Sequence, residues 1–456
     1  MSDEARYFHS VRLDESKCTG CTNCLKSCPT EAIRIRKNRA TIIRESCIDC
    51  GECVRVCPHH AKVAVTDPLS IIQDYEYKIA LPAPSLYVQF QQVHHSDKII
   101  AALYKLGFDE VFEVARAAEV VSYAISRTLI NEDRPRPVIS SACPAVVRLI
   151  QQKYPSLLDN VIDIVSPMEA AARIAKEEAA KKRGIPMEKI GAFFISPCAA
   201  KLTDVRNPLG IDNSAVDGVI AIKDVYTQIQ SLVKEGFTPL EIERASTVGV
   251  RWAVPSGEAE AVGMRHYLCV DGIDNVKHAL EQIEDSRFDR LDYVELMACA
   301  NGCLGGPLAV ENGYVAKSRL NAILRHTTDK TVQRSDIFEN AHEKFRMTQP
   351  IEPNASQQLT GTMLERLVKA ARMEEIEKSL PGLDCGSCGS PTCRTLAQDI
   401  VGGYASEMNC IFKLNERISA LAGELVALGA STRFSVGGNR QEISAQQSTT
   451  EKDKEE

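Results

Sequence analysis

Cysteine is the residue type that could carry most of the chemistry of this 456-residue chain, which contains 17 cysteines. Sixteen fall into three groups: eight between residues 18 and 57, four between 143 and 303, and four between 385 and 410. Thiolates are soft, strongly donating ligands that suit iron–sulfur clusters. The grouping therefore predicts metal centres. The remaining cysteine, Cys269, stands in a short apolar run and is predicted to be a buried core thiol.

The first group is an internal duplication of the pattern Cys-x2-Cys-x2-Cys-x3-Cys-Pro, at residues 18–28 and 47–57. In ferredoxins with this spacing, the fourth cysteine of each run binds the cluster of the other run. A pair of zinc sites is the alternative. The spacing thus predicts two 4Fe–4S clusters, the first bound by Cys18, Cys21, Cys24 and Cys57, and the second by Cys47, Cys50, Cys53 and Cys28.

The second group follows short apolar runs that end at residues 139, 195 and 297. Continuous apolar runs separated by helix-length amphipathic segments indicate buried parallel strands, so we predict an α/β fold. Ligands bind at the carboxyl ends of such strands. Because Cys143, Cys198 and Cys299 follow three of these runs, and Cys303 is four residues further on, the four thiols are predicted to converge on a metal site.

The third group, Cys385, Cys388, Cys393 and Cys410, has the pattern Cys-x2-Cys-x4-Cys-x16-Cys. It resembles a small 4Fe–4S module of corrinoid iron–sulfur proteins and of some sensory hydrogenases. Zinc is again the alternative. From residue 411, apolar residues recur at alternating spacings of three and four, which predicts an amphipathic helix before a polar, disordered tail. This stripe packs either on its own domain or on a second copy in a homodimer.

The central motifs resemble those of FeFe-hydrogenases. That family holds its H-cluster, a 4Fe–4S cubane bridged to a diiron site with CO and CN ligands, on Thr-Ser-Cys-Cys-Pro, Met-Pro-Cys-x-x-Lys and Met-Ala-Cys-x-x-Gly-Cys. Here residues 140–144 are Ser-Ser-Ala-Cys-Pro, residues 196–201 are Ser-Pro-Cys-Ala-Ala-Lys, and residues 297–303 are Met-Ala-Cys-Ala-Asn-Gly-Cys. The resemblance runs from about residue 15 to about residue 325.

The resemblance implies roles for individual side chains. Cys143, Cys198, Cys299 and Cys303 would hold the cubane, with Cys303 bridging to the diiron site. Lys201 and Ser85 would hydrogen-bond cyanide ligands. The diiron pocket would also be lined by Pro197, Met297 and Trp252.

Ala142 departs from the family pattern in a way that bears on turnover. Active members carry a proton-passing cysteine there, and alanine has no ionisable group. Two relay glutamates expected upstream fall near Ala124 and Ile125, and a relay serine falls near Ile162. The pattern resembles a sensory branch of FeFe-hydrogenases, here without a PAS domain. We therefore expect an oxidoreductase that reacts slowly with H2 and senses hydrogen or redox state.

Two alternatives stay open. One is a non-enzymatic, hydrogenase-like protein of iron–sulfur assembly without a diiron site, a class that shares Ser-Ala-Cys-Pro at the first motif. The other is a bulk catalyst with a rerouted proton path. The expected partners of the sensory hydrogenase are H2 and protons, a redox protein such as ferredoxin, a separate signalling protein and the hydrogenase maturation machinery.

Composition and segment boundaries complete the expectations. The net charge is −7, with 54 basic and 61 acidic residues, so nucleic acid is not an expected partner. No membrane span or signal peptide is apparent, which predicts a cytoplasmic protein. Four segments are expected: a ferredoxin-like two-cluster domain (1–67), an α/β H-cluster domain (68–345), a linker with a small helical 4Fe–4S domain (346–412), and the amphipathic helix with its tail (413–456).

Overall fold

The computed structural model describes residues 8–433 except residues 92, 94, 236–242, 289, 328–337 and 355–358. The predicted disordered tail beyond residue 433 lies outside the described residues. The secondary structure is mixed α/β, as the apolar runs predicted. The strands are β1 Val11–Leu13, β2 Ile33–Arg36, β3 Arg39–Ile42, β4 Lys62–Ala64, β5 Tyr77–Pro82, β6 Glu110–Val111, β7 Val138–Ile139, β8 Ile190–Ser196, β9 Gly218–Ala221, β10 Tyr267–Asp271 and β11 Tyr293–Met297.

Helices connect and cover these strands. None in the described residues is long and apolar enough to cross a membrane. The helices are α1 Asn23–Lys26, α2 Glu52–Arg55, α3 Asp97–Lys105, α4 Val114–Asn131, α5 Pro144–Lys153, α6 Pro167–Arg183, α7 Ala200–Arg206, α8 Ile222–Lys234, α9 Thr247–Arg251, α10 Gly257–Val262, α11 Ile273–Glu284, α12 Gly313–Leu324, α13 Ala341–Lys344, α14 Met363–Ser379, α15 Cys393–Val401 and α16 Ile411–Arg433.

The N-terminal region has the small ferredoxin-like architecture that the cysteine duplication predicted. Strand β1 pairs antiparallel with β4, and β2 pairs antiparallel with β3. The helices α1 and α2 each carry the third cysteine of one run, Cys24 or Cys53. Each short helix begins after a residue with positive φ, which turns the chain around the predicted cluster.

The central region contains two separate parallel sheets. One has the strand order β6-β5-β8-β9, and the other has the order β10-β11-β7. Residues on β5, β8 and β11 are almost entirely buried, which explains why their sequences are mostly apolar. Because Cys198 follows β8 in one sheet while Cys143 and Cys299 follow strands of the other, the predicted site lies where the carboxyl ends of the two sheets meet.

The C-terminal region is helical and includes α14, which was not among the predicted elements. Thr362 accepts a hydrogen bond from the Glu365 backbone N–H, and the Glu365 side chain accepts one from Thr362. This capping box was visible in the sequence as Thr-x-x-Glu. The predicted amphipathic helix, α16, is present and continues past Gly429 to Arg433. Its apolar stripe is exposed, from 40% at Leu414 to 69% at Leu425, so the stripe does not pack on the described part of its own domain.

Candidate metal centres

The structure brings the four central cysteines together at one cavity of about 130 Å³ with a mainly apolar lining. Cys143 precedes the first turn of α5, Cys198 lies between β8 and α7, and Cys299 and Cys303 follow β11. The predicted pocket residues also line this cavity, including two from the loops after β5 and α9. They are Ser85, Ala142, Pro197, Lys201, Trp252 and Met297.

The thiols of Cys198, Cys299 and Cys303 would not ionise readily without a bound cation. Burial, with added repulsion from Cys143, raises the pKa of Cys198 to about 11. Burial also raises the pKa of Cys303 to about 12, although this thiol has surface open to the cavity. A metal must therefore stabilise the thiolate forms, and binding would release protons. Four convergent thiols with this chemistry fit an iron–sulfur cubane.

Two polar side chains, Ser85 and Lys201, line the cavity together with the four cysteines. The Ser85 hydroxyl is fully buried and has no hydrogen-bond partner among the described residues. Lys201 Nζ donates to the Ala142 carbonyl at 3.3 Å and lies 3.6 Å from Asp204. A buried hydroxyl normally has a partner. The Ser85 hydroxyl lies in the cavity wall, where the predicted hydrogen bond to a ligand of a diiron site would supply this partner.

The other predicted pocket residues are held by contacts behind the cavity wall. Trp252 is 7% exposed, and its Nε1–H donates to Ser122 Oγ at 2.8 Å. The Pro197 carbonyl accepts from the Leu308 N–H at 2.9 Å. Gly302 approaches Met297 so closely that a Cβ at Gly302 would lie 2.7 Å from the Met297 sulfur. The structure therefore places all three at the site, while their roles stay predictions.

The positions at which the resemblance predicted a proton relay contain apolar side chains. Ala124, Ile125 and Ile162 are each at most 1% exposed and belong to the main hydrophobic core. Apolar side chains cannot exchange protons, so no stepwise proton transfer runs through these three positions.

A buried carboxyl group that was not among the predicted site residues lines the cavity. Glu258 lines the cavity at the start of α10 and is 2% exposed. Ser140 Oγ lies 2.8 and 2.7 Å from its two carboxyl oxygens, and Tyr293 OH donates to it at 2.6 Å. Ser140 Oγ also accepts from the Ala142 N–H at 3.1 Å. Glu258 is thus connected to the residue that replaces the family's cysteine.

A second carboxyl group lies behind the first. Glu295 is fully buried in the middle of β11 and accepts hydrogen bonds from the N–H groups of Ser256 and Ala259. Burial raises the pKa of Glu258 to about 7, and burial together with the Glu258 charge raises that of Glu295 to about 8. Both groups can therefore exchange protons near neutral pH. The signal was present in the sequence, because a glutamate interrupts the apolar run 293–297.

The leftover thiol, Cys269, belongs to the same neighbourhood. It is half-buried rather than fully buried, and its sulfur accepts a hydrogen bond from the Ser256 N–H at 3.0 Å. Burial, together with the nearby Glu295 carboxyl, raises its pKa to about 12, so the thiol stays protonated.

The remaining twelve cysteines form three sets of four, each around a small cavity. Cys57 joins the first ferredoxin run, and Cys28 joins the second, which is the exchange that the ferredoxin spacing predicts. The four C-terminal cysteines surround the third cavity. Cys50 of the second set lies close enough to Cys299 for their charges to interact. The second ferredoxin site is therefore next to the central site.

The C-terminal domain is docked on the first ferredoxin site. Asp399 accepts hydrogen bonds from Arg34 at 2.7 Å and from Arg36 at 2.9 Å. The Ile35 N–H donates to the carbonyl of Gly389 at 2.8 Å, directly after Cys388. Ile35 also lines the first ferredoxin cavity. This contact connects the two cysteine sets through one residue and was not apparent from the sequence.

Comparison with known proteins shows which protein family this chain resembles. A model described as the iron-only hydrogenase large subunit, C-terminal domain, matches residues 76–263 and 238–307, just over half of the chain. The chain belongs to this hydrogenase family. A 4Fe-4S dicluster domain model matches residues 10–58, and an Fe-S cluster model matches residues 380–412. The family assignment and the α/β fold predicted from the motifs are thus confirmed.

The relatives of this hydrogenase-family chain include a hydrogenase subunit and an iron–sulfur assembly factor. The chain is 24% identical over 347 residues to the NADP-reducing hydrogenase subunit HndD of Solidesulfovibrio fructosivorans, covering 65% of this chain and 56% of that protein. It is 23% identical over 261 residues to the probable cytosolic Fe-S cluster assembly factor oxy-4 of Caenorhabditis elegans, covering 46% of this chain and 57% of that protein. The matched region thus spans a little over half of each relative.

A solved structure supports the fold. The chain resembles a variant of the FeFe-hydrogenase HydA1 from Chlamydomonas reinhardtii with a TM-score of 0.51 and 16% identity. The similar region covers 63% of this chain and 98% of that chain. At this identity the likeness concerns the fold alone.

Proposed function

We propose that this chain is an FeFe-hydrogenase-type oxidoreductase that reacts reversibly but slowly with H2 and serves as a hydrogen or redox sensor in the cytoplasm. When bound, the H-cluster would supply the chemistry that interconverts H2 with two protons and two electrons. The observation that carries the proposal is one cavity lined by four cysteines, by Lys201 and by the Ser85 hydroxyl, which has no hydrogen-bond partner in the described part of the chain.

We expect slow turnover because few side chains near this cavity can donate or accept a proton. Ala142 has no ionisable group, and the core residues at the expected relay positions have none. Glu258 can hold a proton near neutral pH, but it reaches the Ala142 region through the Ser140 hydroxyl. We infer that Glu258 and Glu295 form a replacement path that supports reaction at a reduced rate.

Electrons would travel along a chain of cysteine sites. The second ferredoxin site adjoins Cys299, the first ferredoxin site adjoins the second, and the C-terminal site contacts the first through Ile35. Four 4Fe–4S clusters, the H-cluster cubane included, would therefore lie in series. We propose that the C-terminal cluster is the outer end of the series, where ferredoxin or a signalling protein exchanges electrons, and that maturation proteins supply the diiron site.

The exposed stripe on α16 supports a homodimer as part of this proposal. Its apolar residues repeat at heptad spacing and immediately follow the predicted ligand Cys410. A helix with this repeat packs best against another helix of the same kind. A second copy would bring its own stripe next to the C-terminal site.

Isotope exchange tests the proposed reaction. The matured chain is incubated with D2 in ordinary water, and HD is measured by mass spectrometry. We expect slow HD formation that disappears in Cys303→Ser. A matured chain that forms no HD while retaining its iron would favour the second candidate, a non-enzymatic iron–sulfur assembly protein. That candidate is supported by the likeness to the assembly factor.

A further inference from the structure

Lys62 is a lysine that is almost entirely enclosed by protein, with 2% of its surface exposed. It is the first residue of β4 and lies opposite Leu13 on β1. Its Nζ has no hydrogen-bond partner among the described residues. An isolated buried ammonium is strongly unfavourable, so native proteins supply an opposite charge nearby.

The opposite charge available to Lys62 is the first ferredoxin site. Lys62 lines the cavity formed by the four cysteines of that site. Burial raises the pKa of the Cys24 thiol, and the Lys62 ammonium is the largest charge that acts against this rise. No carboxylate lines this cavity in the described part of the chain. The Lys62 charge also acts on Cys53 of the second site, but Lys62 lines the first cavity and not the second. The lysine therefore lies beside the place that the first cluster would occupy.

We propose that Lys62 is the counter-charge of the first ferredoxin cluster and raises the reduction potential of that cluster. One-electron reduction, by dithionite or a protein donor, gives the cluster and its four thiolates one more negative charge and requires no proton. A fixed ammonium attracts the reduced form more strongly than the oxidised form, and this attraction is large where water is excluded. The first cluster would then hold electrons between the C-terminal cluster and the H-cluster.

The inference rests on the proposed occupation of this site by a 4Fe–4S cluster, but it does not require hydrogen chemistry. A chain that loads its clusters and shows no reaction with H2 would leave it standing. A buried lysine that serves only to fill space would have no effect on a potential. Reduction potential therefore distinguishes the electrostatic role from a structural one.

The test is a redox titration of the full chain followed by electron paramagnetic resonance, with iron–sulfur clusters reconstituted and no diiron site needed. The signal of the first cluster is identified by its loss in Cys21→Ala. Lys62→Met removes the charge at similar length, and Lys62→Arg keeps it. Lys17→Met is the matched control, since Lys17 is also near this site in sequence but is exposed and paired with Asp14 at 2.9 Å.

At a fixed ambient potential, Lys62→Met should lower the ratio of reduced to oxidised first cluster by at least about tenfold, or about 59 mV for one electron. Lys62→Arg and Lys17→Met should stay within about twofold of the wild type, well inside that one-electron shift. A fully loaded Lys62→Met chain with the wild-type potential would overturn the proposal.

If the Lys62 charge is needed for assembly of the first cluster, the iron content of the variants decides the test. Loss of the first cluster in Lys62→Met, with normal loading and potential in Lys62→Arg, would support the counter-charge role. Loss of the cluster in both variants would assign Lys62 a packing role and contradict the proposal.

Discussion

Replacing Glu258 with glutamine would fix this side chain in the hydrogen-bonding pattern of a protonated carboxyl group. The pKa of Glu258 rises from 4.5 to about 7 because the group is buried. Each pKa unit is worth about 1.4 kcal/mol, so ionising Glu258 in the folded chain costs about 3 kcal/mol more than in water. At pH 5.5 the folded group should be protonated by roughly 30 to one, and at pH 8.5 the ratio should be reversed.

Because the pKa of Glu258 is higher in the folded chain than in the unfolded chain, this residue makes the folded state less stable as the pH rises. Below pH 4.5 both the folded and the unfolded chain hold the proton, so Glu258 and glutamine should be about equivalent. Between about pH 4.5 and 7 the unfolded chain releases the proton while the folded chain keeps it, and the wild type loses stability. Glu258→Gln avoids this loss and should be more stable than the wild type at pH 8, by up to about 3 kcal/mol.

Two assays check these expectations. Difference infrared spectroscopy between wild type and Glu258→Gln should show a protonated-carboxyl band at pH 5.5 that is absent at pH 8.5. HD formation from D2 should fall at least about tenfold in the variant, since removal of a general acid typically costs more than this. Glu260→Gln is the control, because Glu260 lies on the same helix but is exposed and paired with Arg251. Wild-type exchange in an iron-replete Glu258→Gln chain would refute the proposed path.

The other predictions concern the first motif, the C-terminal dock and α16. Ala142→Cys should raise HD formation by less than about a hundredfold, because Ile162 is buried and apolar and still interrupts the relay; a larger gain would contradict this interruption. Asp399→Asn should weaken the contact between the C-terminal domain and the first ferredoxin site by about 3 kcal/mol, since Arg34 loses a buried charged partner. Proteolysis between residues 346 and 380 should become faster, and an unchanged rate of cleavage would count against this expectation. Truncation after Cys410 should convert a dimer to a monomer in light scattering, whereas an unchanged mass would remove α16 from the interface.

Much of the site could be predicted because cysteine spacing constrains it. The exchange of Cys28 and Cys57 between the two ferredoxin sites follows from chain geometry that all such runs share. Strands before Cys143, Cys198 and Cys299 could be recognised by their apolar runs. Local patterns of this kind do not depend on distant parts of the chain.

Contacts between distant segments could not be predicted in this way. Asp399 reads as an ordinary helix residue until Arg34 and Arg36, more than 360 residues earlier, are placed beside it. The same holds for Glu258 and Ser140, which meet across 118 residues. The sequence also could not predict that β8 and β11 belong to different sheets, because strand order depends on tertiary structure.

Infrared spectroscopy of the matured chain tests the central claim most directly. The CO and CN ligands of a diiron site absorb where protein does not, and their bands should shift when H2 replaces argon. We expect these bands in the wild type and their loss in Cys303→Ser. A fully loaded chain with four cubanes and no CO or CN bands after maturation would contradict the account and identify an iron–sulfur protein without hydrogen chemistry.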